Sequence, residues 1–329
     1  MPATGIRPTW ALAGLALATL LSSLGTSVAN VALPTLEDAF GAPFGAVQWV
    51  VLSYLLAVTT LIVGAGRLGD TVGRRRLLVG GIATFTAASA LCAAAPTLWV
   101  LVAARGLQGV GAAAMMALAL AFVAEAVPRE RSGAAMGLLG STSAIGTALG
   151  PSLGGVLIAA LGWRAIFLVN LPLGLAALHL AHRHLPAGGV AVAGRPRFDV
   201  AGTALLALAL GAYALAMTAG GPGPLAVGLL VAAAAVGLLA VVERRAEAPL
   251  VGAAMLRDGA LRAGLVTGAI VSTVMMATLV VGPFHLARGL GLGPALVGLV
   301  MSAGPAVVAL SGVPAGRIAD RLGPRRVGV

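Results

Sequence analysis

Ten long apolar runs, separated by short segments that hold nearly all of the charge, leave this chain one compatible environment. The runs are Thr9–Leu33, Val47–Ala65, Leu77–Ala95, Leu98–Val123, Ala134–Leu161, Ala165–Ala181, Val200–Ala219, Leu225–Val242, Ala263–Leu286 and Pro294–Val313. Each can cross a hydrocarbon layer of about 30 Å as a helix. In lipid every backbone polar group must be satisfied internally, and apolar runs of this length satisfy it by helix formation. The expectation is an all-α polytopic membrane protein with about ten spans. Only 9% of residues are charged, against about 25% in a soluble domain. The first run also fits a cleavable leader by composition, but it is too long, and nine more follow.

The net charge of +11 comes from 21 basic residues, all arginine. A basic chain invites a nucleic-acid partner, yet these arginines sit in the short segments between runs, where membrane orientation explains them. With the N-terminus in the cytoplasm, 18 of the 21 fall on the cytoplasmic side, Arg164 and Arg288 fall outside, and Arg105 lies within a span. The expectation is therefore a multi-pass protein of the cell (inner) membrane with a cytoplasmic N-terminus, with lipids as partners and no nucleic acid. Cys92 stands alone inside an apolar run, so neither an internal disulfide nor a metal site is expected. The 47 glycines point to helices packed closely through small residues.

Polar segments divide the chain. Residues 1–182 hold six runs and read as an N-terminal six-helix bundle. A basic linker, 183–199, contains Arg183, His184, Pro186, Arg195 and Arg197. Residues 200–242 are two further spans joined by the tight turn Gly220–Pro224. Residues 243–329 begin a second bundle.

Three motifs carry chemistry. Gly66–Arg76, G-R-L-G-D-T-V-G-R-R-R, is a charged island between the second and third runs, and it returns as Gly316–Arg326, G-R-I-A-D-R-L-G-P-R-R, after the tenth. A loop duplicated at corresponding places in two halves implies an internal repeat, an architecture typical of secondary transporters. Glycines there turn the chain sharply, Asp70 pairs with arginine or sits at a helix N-terminus, and Arg74 to Arg76 anchor at the anionic leaflet. Arg105 is the one charge deep in a run, costing about 2.5–3.5 kcal/mol to insert, so it must face protein or a watery cavity and have a partner. Gln108 shares its helix face. Gly146, Gly150 and Gly154, four apart, line one groove of the fifth run, beside Gly137, Pro151 and Gly155.

These residues resemble the major facilitator superfamily. The island matches its signature loop, G-x-x-x-D-x-x-G-R-R, and the resemblance gives Gly66, Asp70, Gly73, Arg74, Gly316, Asp320 and Gly323 a gating role. R-G-L-Q-G-V-G-A around Arg105 is similar to the family's fourth-helix motif, which implies proton transfer or substrate binding; an arginine bonded to carbonyls of a neighbouring helix is the other reading. Gly137, Gly146, Gly150, Pro151, Gly154 and Gly155 match the antiporter signature. N-V-A-L-P, Asn30–Pro34, and W-R-A-I-F-L-V-N-L-P, Trp163–Pro172, resemble the fourteen-helix drug:proton antiporters, where two extra helices separate two six-helix bundles.

One departure stands out. That branch commonly carries an acid five positions before the helix 1 asparagine; here the position is Gly25, and none of the ten runs holds an acid. His285 fits a proton-linked role or a plain interfacial one. Met115, Met116, Met275 and Met276 fit a greasy cavity or ordinary packing.

The resemblance implies proton-coupled efflux of amphiphilic drugs or metabolites by alternating access. Arg105, Gln108 and Asn30 would line the pathway, with a small molecule and protons as partners and no cofactor. A metabolite uniporter or importer is the alternative, as is a non-transporting regulatory relative. No G-x-x-x-x-G-K-S loop is present for an ATP-driven pump, and no cluster of polar groups for a membrane enzyme. Four more spans are expected after the second island. The second bundle is thus expected to be incomplete within these 329 residues, which alone are not expected to transport.

Overall fold

The computed structural model describes residues 8–126, 129–185, 199–245, 259–304 and 306–307. The elements are α1 (Pro8–Phe40), α2 (Phe44–Val47), α3 (Trp49–Val72), α4 (Arg74–Ala94), α5 (Leu98–Ala126) and α6 (Arg129–Leu161). There follow α7 (Ala165–Leu168), α8 (Asn170–His184), α9 (Val200–Thr218), α10 (Pro222–Arg245), α11 (Gly259–Phe284) and α12 (Pro294–Met301). The fold is all-α, with no strand among the described residues. Nine helical segments there are long and apolar enough to span a membrane. The tenth run lies only partly within the described residues, as α12. The second island, with Gly316, Asp320 and Gly323, lies outside them, as do Arg195 and Arg197 of the linker.

Helix ends follow local chemistry more than apolarity. Helix α1 continues past Pro34 through Glu37 and Asp38 to Phe40, and stops where Gly41 takes φ +58°. The first island is likewise almost wholly helical. Helix α3 runs through Asp70 to Val72, Gly73 alone makes the turn at φ +103°, and α4 begins at Arg74. Only glycine adopts that backbone readily. The α9–α10 turn uses Gly220 and Gly221 at φ +68° and +83°.

The apolar interior has two parts. Near the Gly73 turn, which we call the basic end, Leu15, Phe85, Phe122 and Ala181 share a cluster formed, among the described residues, by the first six spans. At the opposite end Leu33, Leu36, Val50 and Phe167 share a cluster with Leu279 of α11 and Val297 and Met301 of α12. Among the described residues, α11 and α12 therefore meet the first six spans at the Glu37 end. Helix α11 shows the same asymmetry along its own length, with Val274 63% exposed and Leu279 5%.

Helices α9 and α10 pack on one another so closely that a Cβ at Gly228 would lie 2.6 Å from that of Ala216. They reach the first bundle through α3, where Trp49 Nε1 donates to Thr218 Oγ1 at 3.1 Å.

Candidate transport pathway

Arg105 on α5 is fully buried. Its Nε donates to the Val50 carbonyl at 2.9 Å and its Nη2 to the Gly25 carbonyl at 2.9 Å. Its Nη1 donates to Gln108 Oε1 at 2.5 Å, one helical turn away. Gln108 Nε2 donates in turn to Ser89 Oγ at 2.7 Å, and Ser89 Oγ to the Phe85 carbonyl. The guanidinium carbon lies 4.2 Å from the centre of the Tyr54 ring, within cation–π range. Tyr54 Oη donates to the Ser22 carbonyl at 2.8 Å. One side chain thus ties α1, α3 and α5 together, and through Gln108 reaches α4. Its acceptors among the described residues are neutral, so oriented carbonyl dipoles stabilise the charge. This geometry matches the second of the two roles open from the sequence, an arginine bonded to neighbouring carbonyls.

The Gly25 site fits that role. A Cβ at Gly25 would approach Phe85 Cζ and Tyr54 Oη to 3.2 Å each. The absence of a side chain lets the rings close over the spot, and Arg105 takes the backbone oxygen there.

Asn30 does not join this network. It is buried, its Nδ2 donates to the Thr26 carbonyl at 3.3 Å, and its Oδ1 has no hydrogen-bond partner among the described residues. Asn170 on α8 repeats the pattern, donating to the Ile166 carbonyl while its Oδ1 stays open. Asn30 stands two turns before Glu37 on one face of α1.

The glycine motif of α6 serves two neighbours. Gly146 faces α1, where a Cβ would meet the Leu20 carbonyl and Ser23 Cβ at 2.9 Å. Gly150 packs on Ser27, whose Oγ donates to the Gly146 carbonyl at 3.2 Å, and Gly154 packs on Val28. Gly155 turns to α12 instead, where a Cβ would lie 3.0 Å from Gly298 Cα. The Pro151 carbonyl packs against Gly298 as well. Gly137 has open space beside it. One stretch of small residues therefore joins the first bundle internally and, a single residue on, joins it to the second.

At the basic end Asp70 and Arg74 pair across the Gly73 turn, from the end of α3 to the start of α4, with Arg74 Nη2 2.7 Å from Asp70 Oδ1. Arg75 donates to the His182 carbonyl, fastening α4 to the end of α8. Gly66 lies within α3 with open space beside it and takes no part in the turn.

At the opposite end stands a contact that sequence reasoning missed. Arg288 Nη2 lies 2.9 Å from Glu37 Oε2 and 3.2 Å from Asp38 Oδ1, bridging α1 to the end of α11 across 250 positions. Pro283 lies within the last turn of α11, and His285–Gly289 then winds as a π-helical turn that carries Arg288. Beside it Phe44 and Phe284 meet edge to face at 4.7 Å between centroids. Two signals could have exposed the pair. Two acids sit in the last turns of α1, where the helix dipole disfavours them, and Arg288 is one of just two arginines on the side that charge bias leaves bare. Of the methionines, Met276 lines a cavity at this interface and Met115 is packed in the bundle core. His285 begins the π-helical turn.

These features define an all-α protein with nine helical segments, among the described residues, long and apolar enough to span a membrane. The Major Facilitator Superfamily model matches residues 15–329, and the chain belongs to that family. It is 32% identical to riboflavin transporter RibZ of Clostridioides difficile, over 93% of this chain and 67% of that protein. It is 35% identical to multidrug resistance protein Stp of Mycobacterium tuberculosis, over 92% of this chain and 57% of that protein. With methylenomycin A resistance protein of Bacillus subtilis the figures are 32%, 93% and 66%. The chain thus spans between 57% and 67% of these relatives' lengths. Its fold is that of a D-xylose–proton symporter, at TM-score 0.63 and 16% identity over 96% of this chain and 70% of that one. A bacterial homologue of the lysosomal transporter Spinster, inward-facing and unoccupied, gives 0.61 and 16% over 98% and 64%.

Proposed function

We propose that this chain supplies the first bundle, the α9–α10 pair and the start of the second bundle of a secondary active exporter. The transporter works by alternating access and moves amphiphilic drugs or metabolites out of the cell in exchange for protons. The observation that carries this reading is the one-ended junction. Among the described residues, α11 and α12 share with the first six spans an apolar core, a glycine-on-glycine contact and an ionic bridge at the Glu37 end, and the described core at the basic end comes from α1, α3, α4, α5, α6 and α8. Rocking about such a junction exposes a midplane site to each side in turn.

In this reading the basic end faces the cytoplasm of a cell membrane, and Gly66, Asp70, Gly73 and Arg74 form the gate there, with Gly316, Asp320 and Gly323 as their counterparts. Arg105 and Gln108 hold the wall of the pathway. Asn30 faces it, and its open Oδ1 is an acceptor for water, proton donor or substrate. Gly146, Gly150 and Gly154 are the close-packed seam inside the moving bundle, and Pro151 and Gly155 carry the junction to α12.

The test is transport by the full gene product in proteoliposomes under an imposed proton gradient, with a panel of neutral and cationic amphiphiles. Gradient-driven accumulation on one side, abolished by a protonophore, is the expected result. Transport indifferent to the gradient replaces the antiporter with a uniporter, a reading favoured by the absence of any acid within the ten runs. No movement of any compound, with folded protein present, overturns the transport assignment.

A further inference from the structure

The chain turns from α1 into α3 through a corner of fixed shape. Pro43, at φ −68°, precedes the single turn of α2, and the N–H groups of Ala46 and Val47 donate back to its carbonyl at 2.9 and 3.2 Å. Proline fixes φ near that value. Val47 is fully buried in the apolar core at the Glu37 end. The N–H groups of Val51 and Leu52 donate to the Gln48 carbonyl at 3.0 and 2.9 Å, which joins the corner to α3. Two consecutive residues of α2 then meet different neighbours. Phe44 sets its ring edge to face on Phe284 of α11. Gly45 packs on the end of α9, where a Cβ would lie 2.6 Å from the Thr218 carbonyl oxygen.

Thr218 is held a second time. Trp49 Nε1 donates to its Oγ1 at 3.1 Å, and that hydroxyl donates in turn to the Ala214 carbonyl at 2.8 Å. In lipid an indole N–H finds no water to replace such an acceptor, and close approach through small residues supplies the packing that hydrophobic burial does not. Helix α9 is braced from behind by α10, because Gly228 fits against Ala216 and the Ala212 carbonyl. A mere spacer between two bundles needs no fixed contact with the closing surfaces of either. Here the inserted pair grips the residue next to the one that meets α11. Neighbouring residues of one helical turn move together, so any displacement of Gly45 with α9 carries the Phe44 ring along.

We propose that the α9–α10 pair is a strut for the Glu37 end. Thr218 and Trp49 are positioning residues: they hold the α2 corner so that Phe44 stays seated on Phe284, and the end opens more often when α9 lets the corner go. The inserted pair of spans thereby sets how often α11 parts from the first bundle at that end. The proposal rests on the alternating-access reading and adds a controlling element to it.

The test labels the full gene product in intact cells, with Val280→Cys as its one accessible cysteine and a membrane-impermeant maleimide added outside. Trp49→Phe keeps a ring and removes the donor, and should raise the labelling rate about 3-fold, the worth of one interhelical hydrogen bond in lipid. Thr218→Val should do the same, and the two together no more than either, since both break one bond. Thr218→Ser, which keeps the hydroxyl, should label at the parent rate. Gly45→Ala, which drives the corner and the Thr218 carbonyl apart, should exceed them all. Phe44→Ala opens the end by itself, and on that background Trp49→Phe should add nothing. A rate unmoved by Trp49→Phe in folded protein, or a rise that persists in full on the Phe44→Ala background, overturns the strut. The same cells are then labelled with a protonophore present. A parent rate that ignores the protonophore, with the Trp49→Phe rise intact, overturns the proton-coupled reading and leaves the strut standing. A parent rate that responds, with Trp49→Phe silent, overturns the strut alone.

Discussion

Two of the three arginines that leave the usual basic segments, Arg105 and Arg288, are held in opposite ways. Arg105 is fully buried, and its neutral acceptors all come from the bundle that contains it. Arg288 is about half exposed, and its acceptors are carboxylates on the other bundle. The difference is one of reversibility. Freeing Arg105 would leave a buried charge and the Gln108 amide oxygen without partners, so its contacts are expected to persist through motion of the bundle. Freeing Arg288 returns three charges to water at small net cost. The first is a rivet and the second is a latch.

The contrast is broken most severely at Arg105. Arg105→Leu removes the second hydrogen bond of the Gly25 and Val50 carbonyls, which keep their helical donors, leaves the Gln108 amide oxygen without its donor, and opens the packing around Tyr54, offset in part because no charge is then held in the interior. A net loss of about 3 kcal/mol corresponds to roughly 6–12 °C in melting midpoint for a unit of this size. The midpoint in detergent, followed by size-exclusion fluorescence, checks it. Arg105→Lys should recover only part, because an ammonium cannot reproduce the planar fork that reaches three acceptors. A melting curve unchanged by Arg105→Leu would remove the rivet from the account.

The glycines of α6 sharpen the same distinction within one helix. Gly150→Val collides with Ser27 inside the bundle and should cost about 1–3 kcal/mol by overpacking. Gly155→Val collides with α12 at Gly298, across the junction. It should leave the first bundle's melting nearly intact while widening the distance between spin labels on α6 and α12. Gly137→Ala, with open space beside it, should be neutral or slightly stabilising, because alanine favours the helix. If all three behave alike, the division of the motif between two neighbours is wrong.

This division explains what the sequence could and could not disclose. Apolarity marks the spans, since lipid leaves a helix no other partners, and the spacing of Gly146, Gly150 and Gly154 predicts one face. Spacing cannot say that Gly155, a single residue on and about 100° around the helix, packs on a different helix. The island reads as a loop because its charges interrupt apolarity, yet helix α3 runs through them to Gly73, because arginine supports a helix as readily as leucine does. Arg105 is conspicuous as a lone charge, but its acceptors are backbone oxygens, which leave no trace in sequence. The bridge from Glu37 and Asp38 to Arg288 joins three ordinary interfacial charges, and only the fold brings them together.

The smallest expected effect on stability belongs to Arg288, and there the measurement must be of conformation. Arg288→Ala removes a half-exposed pair, so the melting midpoint should move by the equivalent of about 0–1 kcal/mol. The junction should nonetheless open more often, since α11 then keeps only its apolar contacts with α1. A cysteine placed at Val280, behind the Phe44–Phe284 pair, would react with a membrane-impermeant maleimide added outside intact cells. The rate should rise several-fold in Arg288→Ala and further in Arg288→Glu, where like charges meet. Combining Arg288→Glu with Glu37→Arg should restore slow labelling, because the ion pair is rebuilt with its signs exchanged. High salt should speed labelling of the parent protein and leave the Arg288→Ala variant unmoved, since screening acts only on the charges that remain. Rates that ignore both the substitution and the salt would mean that the aromatic and glycine contacts hold the bundles together unaided, and that the arginine only caps the end of its own helix.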